Sequence, residues 1–496
     1  MYYFRRIVLI VSNREIRQVG LKRRTKIISA IVTLFYLTGF VFAIEAIMTA
    51  RTETGALAWS ISMATVPFIA VPAYLVLGRS KFEGFAESYA DQKEEVEKKL
   101  GEIQAALAPW AVSPDEYTNT YEAVRKLSNL DITRGNSVEL LIDGEATFDS
   151  ILSGVAVAEE YILFQFYMFH DDGLGRRVQQ ALIERARAGV RVYMLYDEVG
   201  SGGLPDAYVN ELREAGVEVS SFRPNQGVGN RFQLNFRNHR KLVVVDGISG
   251  WIGGHNVGDE YLGLDPEFSP WRDTHMRLDG PSVLAMQMVI MGDWYWATRR
   301  VPKLNWVPLP AEGSDAHVMI YPSAPTQRLE TAGLLFVTAL NSAQERLWLS
   351  APYFVPDEAV MKALQLAALR GVDVRVITTG KADSLPVYLA AFHYMNELRD
   401  LGIKFYAFKP GFLHEKVMLV DDRVSTVGTA NFDNRSFRLN FEVTAIVDDR
   451  DFATEMEQMF ERDFAHSVLI DPNEFDEKPM WWRFGVRLSR LAAPVL

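Results

Sequence analysis

A five-position pattern that occurs twice is the feature that most constrains this chain. Both copies have the form H-x-K-x4-D-x6-G-x2-N, and they begin at residues 239 and 414, which are 175 positions apart. The first copy consists of His239, Lys241, Asp246, Gly253 and Asn256, and the second of His414, Lys416, Asp421, Gly428 and Asn431. A single H-x-K is common by chance, but two copies that agree at all five positions indicate a duplicated unit.

The hydrophobic pattern around the two copies is also repeated. Apolar strand-like runs flank a helical stretch at residues 161–169, 174–188 and 190–195, and again at 347–354, 357–370 and 372–377. Strand–helix–strand units favour a parallel or mixed sheet that is covered by helices. We therefore expect an α/β fold of two similar lobes, lobe 1 at residues 135–310 and lobe 2 at residues 311–478, divided near the proline-rich stretch 301–310.

Two apolar stretches, 27–44 and 56–77, precede these lobes. Each is long enough to span the ~30 Å hydrocarbon core as a helix, so we expect a two-helix transmembrane hairpin within residues 27–80 and a helical linker at 81–134. Residues 1–26 carry eight Lys or Arg and one acid. The positive-inside rule then places both termini and the lobes in the cytoplasm. The alternative is that the first stretch is a cleaved signal peptide; the second stretch would then stop transfer and still leave the lobes in the cytoplasm.

Composition excludes several classes of protein. The chain has no cysteine, which rules out disulfide frameworks and thiolate metal sites. Its formal net charge of −11 argues against a protein that coats nucleic acid. Each motif histidine is accompanied by a lysine that would repel a cation, and the other six histidines show no paired spacing. We therefore expect no metal and no cofactor.

The motif residues suit chemistry on a phosphodiester. Residues 242–245 and 417–420 read as strands, so His239 and Lys241 share one face. An imidazole can act as nucleophile or as proton donor, and a lysine with an asparagine amide can hold phosphoryl oxygens. Asp246 and Asp421 are candidates for catalysis, but they can equally anchor the ends of the strands.

At these residues the chain resembles the phospholipase D superfamily, and in particular its bacterial cardiolipin synthases. The resemblance rests on Asn238–Lys241, on Trp271–His275, and on the run from Gly428 to Glu442, and it includes residues 72–78 and 490–496. It implies a pseudo-twofold fold with one shared site and neither metal nor cofactor. By this analogy His239 would attack the phosphorus of phosphatidylglycerol and His414 would act as acid and base, giving cardiolipin and glycerol.

The resemblance also implies carboxylates that support the histidines. Glu442 follows His414 by 28 residues, a position where the superfamily often has such a carboxylate. In the first half Glu267 has the same spacing, but Asp273 fits the family pattern better. We therefore expect Asp273 and Glu442 to support the histidines, and Asn256 and Asn431 to bind the substrate phosphate.

A lipid substrate agrees with the expected localisation, which is multi-pass in the bacterial cell membrane. Residues 479–496 form an amphipathic tail with three arginines and no acid between 481 and 491, typical of an interfacial helix or of a helix packed on the body. Competing functions are a phospholipase or a transphosphatidylase with another alcohol or donor, a tethered nuclease, and a scaffold. The acidic body speaks against nucleic acid as a partner, and the intact motifs speak against a scaffold. Homo-oligomerisation stays open.

Overall fold

The computed structural model describes residues 2–50, 52–78, 82, 93–113, 119–226 and 235–495. The chain divides into two compact units. The first consists of Met1–Phe82 and Gly227–Asn235, and the second of Glu83–Gln226 and Phe236–Leu496.

The first unit contains the helices α1 (Tyr2–Thr49), α2 (Glu53–Thr65) and α3 (Pro67–Ala73). The segment Arg23–Thr49 of α1 has 27 residues and contains an 18-residue window with a mean hydropathy of 2.3, of which 6% is buried. A helix of that length extends about 40 Å, more than the ~30 Å hydrocarbon core. Among the described residues, α1 is the one helix that is long and apolar enough to cross a membrane.

The second apolar stretch is broken at Val66. A residue that precedes proline avoids the helical region, and Val66, which precedes Pro67, has φ −133° and ψ 57°. α2 therefore ends at Thr65 after 13 residues, about 20 Å, which is shorter than the hydrocarbon core. The predicted two-helix hairpin is thus not confirmed for its second arm.

The direction of α3 also differs from that expected for one continuous second helix. Phe68 lies against Phe35 with ring centroids 5.2 Å apart, and Tyr74 lies against Phe42 at 5.6 Å. Residue numbers rise together in the two pairs, so the chain after Val66 runs in the same direction as α1. The second stretch therefore reverses instead of continuing as one helix.

The second unit is built from strands and covering helices. Its strands are β1 (Thr133–Ile142), β2 (Tyr161–Phe166), β3 (Arg191–Asp197), β4 (Glu218–Phe222), β5 (Arg237–Asn238), β6 (Leu242–Val245), β7 (Ser249–Gly253), β8 (Trp271–Arg272), β9 (Thr274–Asp279), β10 (Ala316–Ser323), β11 (Arg346–Ser350), β12 (Phe354–Val355), β13 (Asp373–Thr379), β14 (Lys404–Phe408), β15 (Phe412–Leu413), β16 (Val417–Val420), β17 (Val424–Gly428), β18 (Phe432–Asp433), β19 (Asn440–Asp448) and β20 (Ser467–Leu469).

Its helices are α4 (Lys93–Leu107), α5 (Asn119–Ser128), α6 (Asp143–Ala156), α7 (Gly173–Arg187), α8 (Asp206–Glu214), α9 (Ser282–Thr298), α10 (Thr331–Ser342), α11 (Glu358–Leu369), α12 (Leu385–Leu398), α13 (Asn434–Arg438), α14 (Arg450–Ala465), α15 (Glu474–Glu477) and α16 (Met480–Ser489). The proline-rich stretch 301–310 has neither helix nor strand. Of the predicted linker 81–134, residues 81, 83–92 and 114–118 lie outside the described residues.

One mixed sheet of sixteen strands runs through both lobes. β1 and β10 pair antiparallel at its centre. Outward from this pair the order is β9, β7, β6, β2, β3 and β4 in lobe 1, and β19, β17, β16, β11, β13 and β14 in lobe 2, with β20 at that edge. The predicted α/β fold with mixed sheets is therefore confirmed, and the two halves share a single sheet.

The motif strands lie in the core of each lobe. All side chains of β2, β6 and β16 are buried, as expected for strands covered on both faces. In lobe 1, Phe148 of α6 and Val178 of α7 pack with Phe164 of β2. In lobe 2, Phe336 of α10 and Leu364 of α11 pack around Met418 of β16. These cores hold the residues that immediately precede and follow each motif strand.

Two short strands are exchanged between the lobes. β5 of lobe 1 pairs in parallel with β19 of lobe 2, with Asn238 opposite Phe441. β15 of lobe 2 pairs in parallel with β8 of lobe 1, with Leu413 opposite Arg272. Each motif histidine directly follows one of these strands, so the position of each histidine is set by the other lobe.

Candidate active site

His239 is held against a carboxylate of lobe 2. Its backbone N–H donates to the carbonyl of Phe441 at 3.0 Å, which continues the pairing of β5 with β19. The next residue of β19 is Glu442, and His239 Nδ1 lies 3.0 Å from both of its carboxylate oxygens. The carboxylate therefore orients the ring through Nδ1 and leaves Nε2 for chemistry.

His414 is held in the same way by lobe 1. Its backbone N–H donates to the carbonyl of Arg272 at 2.8 Å, and its Nδ1 lies 2.7 Å from Oδ2 of Asp273. The structure thus pairs each predicted supporting carboxylate with the histidine of the opposite lobe. Glu267, the alternative to Asp273, lies in an exposed segment.

Glu442 is itself fixed by several donors and is fully buried. Thr429 Oγ1 donates to it at 2.6 Å, and both Ser436 Oγ and Asn440 Nδ2 donate at 3.0 Å. Burial alone would raise the pKa of Glu442, but His239, the charge of Lys241 and the Thr429 hydroxyl outweigh it and lower the pKa. Glu442 is therefore a fixed anion beside His239.

Asp273 is buried against a glycine of the first motif. It accepts from the backbone N–H of Thr274 at 2.8 Å. A Cβ added at Gly254 would lie 2.0 Å from Oδ1 of Asp273, so only glycine leaves room for this carboxylate. Gly254 follows the motif position Gly253, and sequence reasoning assigned it no role.

Burial favours the neutral form of both histidines. Burial lowers the pKa of His239 to about 4, with the attraction of Glu442 opposing it and the charge of Lys241 adding to it. Burial also lowers the pKa of His414 well below its ordinary value, and the positive charges of Lys416 and Lys241 lower it further. Each ring therefore carries an Nε2 lone pair when its Nδ1–H donates to the carboxylate.

The two motif lysines lie beside the histidines. Lys241 Nζ donates to the carbonyl of His239 at 2.7 Å, and Lys416 Nζ donates to the carbonyl of His414. Burial lowers the pKa of Lys241 well below its usual range and that of Lys416 to about 8, and the charge of Lys416 lowers the pKa of Lys241 further. Two buried lysines that belong to the same site favour a bound anion such as a phosphodiester.

The two motif asparagines differ in their hydrogen bonds. Asn256 Nδ2 donates to the hydroxyl of Tyr261 at 2.6 Å, and its Oδ1 accepts from the backbone N–H of Met168 at 3.2 Å. The buried Oδ1 of Asn431 has no hydrogen-bond partner among the described residues.

Asp246 and Asp421 lie at the far ends of the motif strands. The carboxylate of Asp246 accepts from the backbone N–H groups of Glu159, Glu160 and Tyr161 at 2.7–2.8 Å. The four residues of β6 separate it from Lys241, a length of about 13 Å. The geometry therefore favours strand anchoring over the catalytic assignment that the motif suggested.

Asp421 repeats this arrangement in lobe 2. It accepts from three consecutive backbone N–H groups, those of Gln344, Glu345 and Arg346, at 2.8–3.2 Å. Both aspartates have a left-handed backbone, with φ 55° for Asp246 and 54° for Asp421. Each therefore ends its strand and ties the turn to the start of the neighbouring strand, so the geometry favours strand anchoring over catalysis for Asp421 as well.

Sequence reasoning missed the aromatic walls of the site. The ring of Tyr167 lies 5.0 Å from that of His239. On the other side, Trp271 and Tyr261 lie 5.3 and 6.0 Å from His414, measured between ring centroids. Trp271 belongs to a stretch that the family resemblance singled out, but Tyr167 and Tyr261 carry no sequence signal beyond their place after β2 and β7.

A metal ion does not fit the two-histidine site, since buried lysines lie beside both rings. Within the described ranges, one group of side chains has ligand atoms close enough for a cation, namely His170, Asp172 and Glu260. None of the predicted site residues belongs to it.

Comparison with known proteins agrees with this geometry. A family model described as "Cardiolipin synthase, PLD-like domain" matches residues 151–269 and 336–464, one segment in each lobe. Cardiolipin synthase A of Pseudomonas fluorescens is 43% identical over 473 residues, which covers 94% of this chain and 98% of that protein. Cardiolipin synthase A of Pseudomonas aeruginosa is 44% identical over 463 residues, covering 92% of this chain and 94% of that protein.

A solved structure shares the fold. Phosphatidylserine synthase of Haemophilus influenzae matches with a TM-score of 0.57 and 14% identity, covering 76% of this chain and all of that one. The sequence-based resemblance is therefore confirmed at the level of family and fold.

Proposed function

The chain belongs to the family of cardiolipin synthases with phospholipase-D-like domains, and we propose that it transfers a phosphatidyl group between two phosphatidylglycerol molecules through a phosphohistidine. The enzyme is a phosphatidyltransferase of the membrane. The observation that carries the proposal is the crossed arrangement of His239 with Glu442 and His414 with Asp273, beside two buried lysines.

In the first step His239 Nε2 attacks the phosphorus of phosphatidylglycerol. A P–N bond forms, and the P–O bond to the terminal glycerol breaks. His414 donates its proton to the departing oxygen, so glycerol leaves neutral. Lys241 and Lys416 balance the charge on the phosphoryl oxygens, and Asn256 and Asn431 donate to the same oxygens.

In the second step the glycerol hydroxyl of another phosphatidylglycerol is the acceptor. His414 Nε2 removes the proton of this hydroxyl, and the oxygen attacks the phosphorus. A P–O bond forms and the P–N bond breaks, which releases cardiolipin and returns His239 to its neutral form. His414 keeps the proton for the next cycle.

The charge of the substrate makes the acid role of His414 consistent with its low pKa. In the substrate-free site, burial and the neighbouring lysines keep His414 neutral. A bound phosphodiester adds a negative charge, and an opposite charge nearby raises the pKa of a histidine. The assignment of His239 as nucleophile and His414 as acid and base follows the family resemblance.

A single assay tests the transfer. Purified full-length protein is incubated in mixed micelles with phosphatidylglycerol alone, and lipids are identified by mass spectrometry while glycerol is quantified. We expect equal amounts of cardiolipin and glycerol, and a loss of at least about 10⁴-fold in His239→Ala. The exposed His466 provides the matched control, His466→Ala, which should keep full activity.

Two other outcomes contradict parts of the proposal. Phosphatidic acid in place of cardiolipin would make water the acceptor. A covalent phosphatidyl group on residue 414 of His239→Ala, instead of on residue 239 of His414→Ala, would reverse the roles of the histidines.

The orientation in the membrane is a separate part of the proposal. The basic residues 1–26 and the second unit, which contains the two histidines and is called the catalytic unit below, both face the cytoplasm, as in a multi-pass protein. The charge distribution supports it. Because the chain has no cysteine, Ser12→Cys and Leu369→Cys can each be probed with an impermeant maleimide in spheroplasts. Protection of both supports the proposal, and labelling of Leu369→Cys alone overturns it.

A further inference from the structure

One face of α16 is packed on the catalytic unit. Val486 is fully buried. The ring of Trp482 lies 5.1 Å from Phe392 of α12 and 6.0 Å from Phe475, measured between centroids. These contacts fix the orientation of the helix on the unit, so its other faces are presented in a defined direction.

The opposite face is apolar and exposed. Five large side chains there have 54 to 78% of their surface accessible: Met480, Trp481, Phe484, Leu488 and Leu491. Their spacing places them along one stripe of the helix and of the turn that follows it. A contiguous apolar stripe of this kind marks an interaction surface, because soluble proteins rarely expose one.

The charges beside the stripe are all positive. Arg483, Arg487 and Arg490 form no ion pair within the described part of the chain, and residues 480–495 contain no acid. This contrasts with the chain as a whole, whose formal net charge is −11. An apolar stripe flanked only by arginines is complementary to a surface with anionic groups above hydrocarbon.

We propose that this stripe of α16 inserts into the interface of an anionic phospholipid bilayer. The five apolar side chains lie among the upper acyl chains, and the three arginines contact lipid phosphates, each strengthening the attraction by about fivefold. α16 is then a second membrane contact, formed by the catalytic unit itself and independent of α1. Packing on the unit and membrane contact, which sequence reasoning treated as alternatives, use different faces of the same helix.

The absence of cysteine from the chain allows a site-specific test in the full-length protein. Phe484→Cys is labelled with an environment-sensitive fluorophore, and the protein is reconstituted into vesicles of phosphatidylglycerol and phosphatidylethanolamine. Leu369→Cys, on the exposed face of α11 and 71% accessible, is the matched control. We expect a blue shift and quenching by nitroxide on the acyl chains at position 484, and neither at 369.

The arginines give the second arm of the test. Changing Arg483, Arg487 and Arg490 together to Gln should reduce the quenched fraction at position 484 in anionic vesicles severalfold. It should have little effect in phosphatidylcholine vesicles, where quenching is weak already. Thermal unfolding in detergent identifies a protein that has failed to fold. If Phe484→Cys fails to fold, Leu488→Cys becomes the labelled position.

Three results would overturn the proposal. The first is equal quenching at positions 484 and 369, and the second is no quenching at 484 in a folded protein. The third is self-quenching at 484 that depends on protein density, which would assign the stripe to a second copy of the chain. Loss of cardiolipin formation in the unlabelled protein concerns only the proposed function and leaves this test unaffected.

Discussion

In lobe 1 the residue between His239 and Lys241 is a buried arginine, whereas in lobe 2 the residue between His414 and Lys416 is a buried glutamate. Arg240 Nη1 donates to both carboxylate oxygens of Asp293 of α9, at 2.7 and 2.8 Å. Glu415 instead forms an ion pair with Arg272 of the other lobe, with 2.7 Å between Nη2 of Arg272 and Oε1 of Glu415. The repeated histidine and lysine belong to the site, and the position between them serves the scaffold of each lobe.

The difference also changes the protonation of the scaffold. Arg272 is shared by Glu415, Asp463 and Asp143, so carboxylates outnumber the cation. Burial and the charge of Asp463 raise the pKa of Glu415 to about 8, although Arg272 opposes the shift. The motif of lobe 1 thus buries one arginine with one carboxylate, whereas that of lobe 2 shares one arginine with several carboxylates, among which the pKa of Glu415 is raised.

The largest expected effects come from the crossed carboxylates. Glu442→Gln and Asp273→Asn keep the shape of each side chain but remove the charge that orients the histidine of the opposite lobe. By comparison with other carboxylate–histidine pairs, kcat should fall by about 10²–10⁴-fold. Single-turnover measurements distinguish the two: Glu442→Gln should slow formation of the phosphohistidine, while Asp273→Asn should slow its transfer as well. Equal rates for wild type and Glu442→Gln would contradict the pairing.

The next effects concern the residue between the histidine and the lysine. Arg240→Met leaves Asp293 charged and buried without its cation, which should cost about 3–5 kcal/mol of the free energy of unfolding. Glu415→Gln should cost about 1 kcal/mol or less, since the raised pKa of Glu415 favours its neutral form and Arg272 keeps its pairs with Asp463 and Asp143. Denaturant unfolding of the detergent-solubilised proteins at pH 7 measures both. A larger loss for Glu415→Gln would reverse the comparison.

Acid should affect lobe 1 before lobe 2. His255 and His275 are buried in lobe 1 with their Nδ1 atoms 3.3 Å apart, and burial lowers both pKa values to about 3. The unfolded chain binds protons below about pH 6.5 and the folded chain does not, so stability falls as the pH drops from there. Between pH 7 and pH 5 the loss is about 2 kcal/mol for each histidine.

Lobe 2 lacks this pair, because Ala430 and Thr444 occupy the corresponding positions. Hydrogen exchange followed by mass spectrometry at pH 7 and pH 5 should therefore show a loss of protection in the strands of lobe 1 first. His275→Thr, which copies lobe 2, should reduce the difference. A simultaneous loss in both lobes of the wild-type protein would disprove the assignment.

The smallest effects on catalysis are expected for the strand anchors. Asp246→Asn and Asp421→Asn each remove a charge that three backbone N–H groups share, at a cost of about 1–2 kcal/mol. The two should be equal, and the folded fraction should retain its kcat. A drop in kcat by 10²-fold or more without loss of stability would restore the catalytic assignment of these aspartates.

The sequence predicts those features of the molecule that depend on neighbouring residues better than those that depend on residues far apart in the chain. The lobes, the motif strands and the four His and Lys residues follow from local patterns, because spacing along a strand decides which side chains share a face. The anchoring role of Asp246 was one of two open interpretations, and only the partners at residues 159–161, more than 80 positions away, distinguish them.

The crossed pairs were beyond sequence reasoning for the same reason. Glu442 was expected near a histidine from its spacing to His414, yet it contacts His239. That contact depends on the pairing of β5 with β19, two residues of parallel ladder between distant segments. The reversal after α2 was not predicted for a different reason. The stretch 56–77 is apolar throughout and proline is tolerated within a membrane helix, so one helix was expected, but the backbone at Val66 turns the chain before Pro67.

The exchange of β5 and β15 between the lobes has a consequence for biosynthesis. During translation His239, Lys241 and all the strands of lobe 1 emerge before β19 exists, so the first histidine has no carboxylate partner until residue 442 has left the ribosome. Neither half alone contains a complete reacting pair. We therefore expect a nascent or proteolysed fragment to be inactive toward the phospholipids of the membrane. Activity is expected only after the two lobes have paired through β5 and β15.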